Sequence, residues 1–185
     1  MIHLRQIAAT TGIENQATLD RPLDHLLACH RRIEERLDVL RRAAGHLGDR
    51  RAEALEAIGN AFRFLDSNGA LHTADEEESL FPRLCGRVGG QDADFLRALE
   101  EDHREVERVY RGVKDVYAAM ATAADRDIGQ LNKSFGRSVD RLRELYRAHI
   151  AAEDARLIGL GREVLDATEL SAISLEMKTR RHLSQ

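Results

Sequence analysis

Apolar residues recur every three or four positions along most of the chain, which is the spacing of one face of an α-helix. Four long stretches have this pattern, and glycine- or proline-containing breaks separate them. The pattern predicts four long helices, over residues 22–44, 49–82, 94–123 and 127–160. It also predicts a shorter helix over 168–180, with Asp166 or Thr168 as its N-cap.

Proline and glycine positions give three further predictions about these helices and the breaks between them. Proline cannot continue the hydrogen-bond ladder of a helix, so the second helix is predicted to end at Pro82. Residues 86–94, which include two adjacent glycines, are predicted to form a loop. Gly69 lies inside the second helix, where glycine costs about 1 kcal/mol relative to alanine, which points to a packing or access role.

Short connections between consecutive long helices predict antiparallel neighbours. The predicted fold class is therefore all-α, an up-down-up-down four-helix bundle. With 185 residues, the chain is long enough for one domain with its own core. We divide it into an N-terminal arm (1–21), the bundle (22–160) and a C-terminal tail with a short fifth helix (161–185).

Four of the eight histidines are followed by a glutamate four residues later. The pairs are His30 with Glu34, His72 with Glu76, His103 with Glu107, and His149 with Glu153. This spacing places both side chains on the same face of a helix. Chance would give four such pairs roughly once in two hundred sequences, by a simple template count. In an up-down bundle the four histidines would lie at one level of the core, one on each helix.

An imidazole beside a carboxylate on a buried helix face is costly unless something compensates for it. A metal ion is the commonest compensation. A single buried histidine is more often a hydrogen-bonded core residue, and the four aligned pairs are what favour a metal site here. The residues alone leave the metal open, because zinc or manganese would accept several of these ligands.

The chain resembles the hemerythrin-like (HHE) proteins in several motifs. They are Leu-x-x-x-His at 26–30, His-x-x-x-Glu-Glu-x-x-Leu-Phe-Pro at 72–82, Asp-His at 102–103 and Tyr-x-x-His-Ile-x-x-Glu-Asp at 146–154. The tail is also similar, through Glu-Leu-Ser-Ala-Ile at 169–173, Glu-Met at 176–177 and Arg-Arg at 180–181. The resemblance covers about residues 18–183.

This resemblance implies a non-haem di-iron centre, two iron ions with an oxo or hydroxo bridge, that meets O₂ in the bundle core. The implied ligands are His30 and His72 on one iron, His103 and His149 on the other, and Glu76 and Glu153 as bridging carboxylates.

The sequence departs from hemerythrin proper at two places. The oxygen carriers have a second histidine where this chain has Glu107, and an aspartate one residue further along where it has Glu153. A site richer in carboxylate oxygen is more anionic, which should favour the ferric state. Glu34 and Glu107 are candidate additional ligands at corresponding places on two helices. Tyr146 and Glu77 are candidates for contacts with the ligands themselves.

We expect a protein that binds iron and reacts with O₂, NO or peroxide, in small-molecule sensing or an oxidative-stress response. One alternative is a di-iron enzyme, either peroxide-decomposing or ferroxidase-like. Another is iron storage or trafficking. A metal-free helical interaction protein is hard to reconcile with four aligned pairs.

Composition and charge limit the partners and the cellular compartment that we expect. The net charge of −4 and the lack of a basic, aromatic-interleaved patch argue against nucleic acid as a partner. No segment has the length of a signal peptide or a membrane span. Two cysteines, Cys29 and Cys85, are too few for a disulfide framework, so we expect a cytoplasmic protein. His25 is expected at the surface, and the sequence leaves the oligomeric state open.

Overall fold

Five helices make up nearly all of the part of the chain that this computed structural model describes, residues 18–183. They are α1 (Pro22–Gly45), α2 (residues 51–85), α3 (Gln91–Thr122), α4 (residues 125–164) and α5 (Ala167–Arg180). Residues 18–183 contain no strand, and the predicted all-α class is confirmed. No helix within them is long and apolar enough to cross a membrane. Residues 1–17 of the predicted N-terminal arm lie outside the described residues.

Two of the helices contain wider, π-helical turns. In α2 these turns are Leu65–Gly69 and Asp75–Leu80, and in α4 the turn is Glu153–Leu157. The remainder of α2 is α-helical, over Arg51–Phe64, Ala70–Ala74 and Phe81–Cys85, and so is the remainder of α4, over Asp125–Ala152 and Ile158–Val164. Single π turns inside α-helices often mark functional sites. Glu76 and Glu153 both lie in such turns.

The predicted end of the second helix at Pro82 is wrong, because α2 continues to Cys85. The π turn Asp75–Leu80 precedes the proline, so Pro82 falls in the first two positions of the next α-helical segment. Proline is tolerated there, because the wider turn before it already interrupts the regular i→i−4 hydrogen-bond ladder that a proline would break. The following loop is also shorter than predicted, since α3 begins at Gln91, after Gly90 with its positive φ of 56°.

The interior consists of two apolar clusters separated by a polar layer. One cluster includes Ile33, Val106 and Leu142, and the other includes Leu26 and Leu99. Each predicted ligand histidine lies between members of the two clusters along its own helix, as His30 does between Leu26 and Ile33. The apolar clusters therefore shield the histidine layer from water at both ends.

Helix α5 packs against α1 and against the π turn Asp75–Leu80. Asp166 is its N-cap: the Asp166 carboxylate accepts a hydrogen bond from the Glu169 amide at 2.9 Å, and the Glu169 side chain accepts one from the Asp166 amide at 3.1 Å. Ile173 and Met177 are fully buried beneath the helix. The predicted fifth helix is thus confirmed, with Asp166 as its cap, and it is a packed part of the molecule.

Candidate metal centre

Six of the predicted ligands converge in the centre of the bundle. They form two groups, His30, His72, Glu76 and Glu153, and Glu76, His103, His149 and Glu153. Within each group the possible ligand atoms all lie within 4.8 Å of one another. We call these six residues the ligand layer. Because both groups contain the same two glutamates, the layer offers two adjoining places for a cation.

The histidines of each group also touch each other. The ring centroids of His30 and His72 are 4.8 Å apart, and those of His103 and His149 are 4.6 Å apart, with the rings edge to face. The pairing of histidines that the resemblance implied is therefore the pairing that the fold brings together.

Each glutamate stands between the two histidine pairs. One oxygen of Glu153 lies 3.2 Å from Nε2 of His30, and the other lies 3.0 Å from Nε2 of His149. Glu76 lies 3.9 Å from Nε2 of His30 through Oε1, and its Oε2 lies 3.5 Å from Nε2 of His72 and 3.4 Å from Nε2 of His103. A carboxylate in this position can bridge two cations.

The layer lacks hydrogen-bond donors for its own acceptors. All four carboxylate oxygens of Glu76 and Glu153 are buried without a hydrogen-bond partner among the described residues. Nε2 of His30 and Nε2 of His103 are also buried without a hydrogen-bond partner among these residues. Buried polar groups of this kind are costly when left unpaired. A divalent cation would satisfy them, so the residues present fit a metal.

Without a metal, protons carry the compensating charge. Burial opposes protonation of His30, but Glu153 and Glu76 outweigh it and raise the pKa of His30 to about 11. Burial likewise opposes protonation of His103, but nearby carboxylates, chiefly Glu76, outweigh it and raise the pKa of His103 to about 9. Burial alone would raise the pKa of Glu76, yet the surrounding histidines hold it well below the usual range. The pKa of His72 is lowered, chiefly by burial.

Carboxylates also face the outer ring nitrogens. His30 Nδ1 donates to Asp154 at 2.6 Å, His103 Nδ1 donates to Glu77 at 2.8 Å, and His149 Nδ1 lies 3.6 Å from Asp102. Such contacts fix the ring orientation and tautomer, so that Nε2 faces the site. Glu77 thus occupies the supporting position predicted for it.

Glu34 and Glu107 belong to neither group. The Glu107 side chain is 69% exposed and lies 3.6 Å from the Arg111 guanidinium, while Glu34 is half-buried on α1. In a regular α-helix a residue four positions on is rotated by about 40° from the first. Helices α1 and α3 are regular at these pairs, so both glutamates project beside the layer. Their role as ligands stays a prediction.

A groove between α2 and α3 connects the ligand layer with the surface. Its volume is about 830 Å³, and its inner wall includes His72, His103 and His149. Tyr146, the other predicted supporting residue, also lines it, and burial followed by the charges of Glu153 and Glu76 raises its pKa to about 12. Gly69 is also among the residues that line the groove. A small molecule can therefore approach the layer from this side.

The expected surface position of His25 is wrong. His25 is fully buried, with Nδ1 2.8 Å from the Thr18 hydroxyl and Nε2 3.4 Å from Sγ of Cys29. Burial, followed by the charges of Arg181 and Arg32, lowers the pKa of His25 to about 3, so this ring is neutral. Cys29 is itself buried and free.

A helical bundle with a buried layer of four histidines and two shared glutamates defines a class of cation-binding proteins. The family model described as Hemerythrin HHE cation binding domain matches residues 21–160. The chain therefore belongs to the hemerythrin HHE family, which confirms the resemblance found in the motifs. Comparison with curated proteins gives no match.

Proposed function

We propose that the ligand layer binds two iron ions and that the loaded protein reacts with O₂ or a related small molecule such as NO or peroxide. The observation that carries the proposal is the placement of Glu76 and Glu153, each shared by the two histidine pairs. Four imidazoles and two carboxylates form a nitrogen and oxygen donor set of the kind that iron accepts. Bound iron would supply the affinity for these small molecules and the capacity to exchange electrons with them.

The protein's own residues would control access and charge. Asp154 and Glu77 orient two of the histidine rings, and His30 and His103 give up their protons when a cation enters. The groove admits the small molecule, while the apolar clusters keep bulk water from both ends of the layer.

The second candidate function is a di-iron enzyme, either peroxide-decomposing or ferroxidase-like. The groove favours this alternative, because its volume of about 830 Å³ greatly exceeds what a diatomic ligand needs and would allow product to exchange with water. The carboxylates on the outer histidine nitrogens add negative charge around the layer, which favours an oxidised cation.

The first test is the metal content per chain, with absorption spectra of the reduced protein before and after O₂ is added. The proposal expects about two irons per chain and new visible bands that depend on O₂. A long-lived oxygenated species would favour binding or sensing, and repeated breakdown of added peroxide would favour the enzyme. One zinc per chain, with no visible band, would contradict the proposal.

Glu153→Gln supplies the matched variant for this measurement. It keeps the size of the side chain but removes a charge that both cation places share, so the iron content should fall from about two to less than about one per chain. Glu107→Gln is the control, because Glu107 has the same spacing from its histidine but lies outside the layer. Equal loss in both variants would contradict the assigned layer.

A further inference from the structure

Asp75, the residue before Glu76, belongs to neither ligand group, although it is fully buried. Its carboxylate contacts α5 instead. Arg180 donates to Oδ1 at 2.9 Å, and Arg181 donates to Oδ1 at 3.1 Å and to Oδ2 at 2.7 Å. The two arginine side chains are only 17% and 10% exposed. A buried carboxylate held by two guanidinium groups is a strong, geometrically specific contact.

The same arginines hold more of the turn that carries Glu76. Arg180 also donates to the Ser79 hydroxyl at 2.7 Å and to the Glu78 carboxylate at 3.0 Å. Arg181 is itself fixed by a hydrogen bond to the Met177 carbonyl at 2.9 Å. Together they contact three of the six residues of the π turn Asp75–Leu80.

This turn needs support from outside the helix. A π turn is a rare departure from α-helical geometry, and it determines where the Glu76 carboxylate lies. If either arginine were lost, Asp75 would be a buried charge with incomplete compensation, which is strongly destabilising locally. The turn could relieve that cost by shifting, and Glu76 would shift with it.

We propose that Arg180 and Arg181 are positioning residues for the metal centre, and that they act by holding the π turn so that Glu76 stays between the histidine pairs. The inference rests on the proposed metal function and extends it to α5, which lies beyond the family match at residues 21–160. Arg180, Arg181 and Asp75 would touch no cation themselves.

The test compares Arg181→Ala with the parent protein. Iron affinity is measured by competition with a chelator, the absorption spectrum of the iron-loaded protein is recorded, and the metal-free protein is checked by circular dichroism. Loss of support around a ligand typically costs 10- to 100-fold in metal affinity, so we expect about a tenfold loss together with shifted absorption bands. Arg181→Lys should recover part of the affinity, because lysine keeps the charge but offers no fork.

Two controls lie on the same helix. Lys178→Ala removes an ion pair with Asp20 at 2.5 Å that does not involve the turn, and it should leave affinity and spectrum unchanged. Glu169→Gln weakens the docking of α5 through Arg87, 2.7 Å away, without touching the π turn. Equal losses in Glu169→Gln and Arg181→Ala would overturn the proposal, because docking of the helix in general would then explain them.

The proposal would also be overturned if Arg181→Ala had the same iron affinity and the same absorption spectrum as the parent protein. If Arg181→Ala does not fold, Arg181→Lys decides: a several-fold loss of affinity supports the proposal, and parental affinity overturns it. A parent protein that takes up no iron would refute the proposed function instead, which keeps the two failures distinct.

Discussion

The charge of Glu76 and Glu153 has to be balanced inside the molecule, because both carboxylates are fully buried. In the metal-free protein the balance comes from protons, chiefly on His30 and His103. Metal ligation requires these imidazoles to be neutral, so protons and cations compete for the same imidazole nitrogen atoms. The ligand layer is therefore sensitive to pH even before any reaction occurs.

Stability of the metal-free protein should consequently fall as the pH rises from 6.5 to 9. In this window the unfolded chain has released the protons of both histidines, whose ordinary pKa is about 6.5. The folded protein retains them, because the pKa is about 11 for His30 and about 9 for His103. The folded state then binds more protons than the unfolded state, and the free energy of unfolding decreases with pH. Thermal unfolding of chelator-treated protein at pH 6.5, 8 and 9 measures this.

Iron affinity should rise over the same range, because a cation displaces these protons and their release becomes more favourable as the proton concentration falls. His46→Ala is a suitable control, since His46 is exposed and pairs only with Asp49 near the end of α1. The control should follow the pH dependence of the parent. A melting temperature that is constant or rises with pH would contradict the proton assignments.

Among the helical elements, the π turns decide which glutamates enter the ligand layer. All four His-x-x-x-Glu pairs look alike in sequence, yet only Glu76 and Glu153 lie in wider turns, and only these two are shared by both groups. The helices and the histidine layer follow from local periodicity, so the sequence predicts them well. Arg180 and Arg181 contact the π turn Asp75–Leu80 from another helix, and a contact of this kind is not visible in a local sequence pattern.

The same limit explains two other departures from prediction. The continuation of α2 through Pro82 depends on the π turn before it. Asp75 stands in a run of acidic residues, 75–78, of which two are buried and two are exposed. Glu76 is marked by its spacing from His72, but nothing in the sequence marks Asp75 as the second buried carboxylate. Its role becomes visible only once α5 is packed against the turn.

At Gly69, in α2, the fold has room for a larger side chain than glycine. A Cβ atom there would meet nothing within 4 Å, and the residue lines the groove. Gly69→Ala should raise the free energy of unfolding by about 1 kcal/mol, since alanine is the better helix former. Gly69→Phe should place a ring in the groove and slow the approach of small molecules. Thermal unfolding and stopped-flow mixing of reduced, iron-loaded protein with O₂ measure the two effects.

Gly69→Ala serves as the matched control for the kinetic experiment, because a methyl group leaves most of the groove open. Its rate should equal that of the parent, while Gly69→Phe should react several-fold more slowly. Equal rates in all three proteins would mean that O₂ does not use this groove.

At the scale of the whole molecule, all four long helices contribute one histidine each to the ligand layer. At this level the sequence predicts the fold class well, because the all-α class follows from helix periodicity. The pairing of the histidines and the shared position of the glutamates are implied by the resemblance to the hemerythrin-like proteins, and the structure brings these side chains together in the same arrangement. A cation bound in this layer would link helices that are far apart along the chain. Its contribution to stability should therefore appear as a property of the whole fold.

Removal of iron by a chelator should lower the melting temperature by about 5–10 °C. A ligand present at 100 times its Kd adds about 2.7 kcal/mol to the folded state, and each kcal/mol corresponds to about 2–4 °C in a protein of this size. Differential scanning calorimetry with and without chelator measures the shift. Glu153→Gln should show a much smaller shift, and an unchanged melting temperature in the parent would contradict a cation at the centre of the bundle.

The π turn at Asp75–Leu80 also makes α2 tolerant of a change in length at this one place. Such a turn accommodates one residue more than an α-helical turn does. Deleting one residue there would restore regular α-helical geometry and leave the later residues on nearly the same face, whereas a deletion in a regular stretch would rotate them by about 100°. Phe81 and Leu84, which are fully buried or nearly so, would then stay in the core. The Glu76 carboxylate, which lies within the turn, would change position, so the apolar cluster would survive a loss that the metal centre would not.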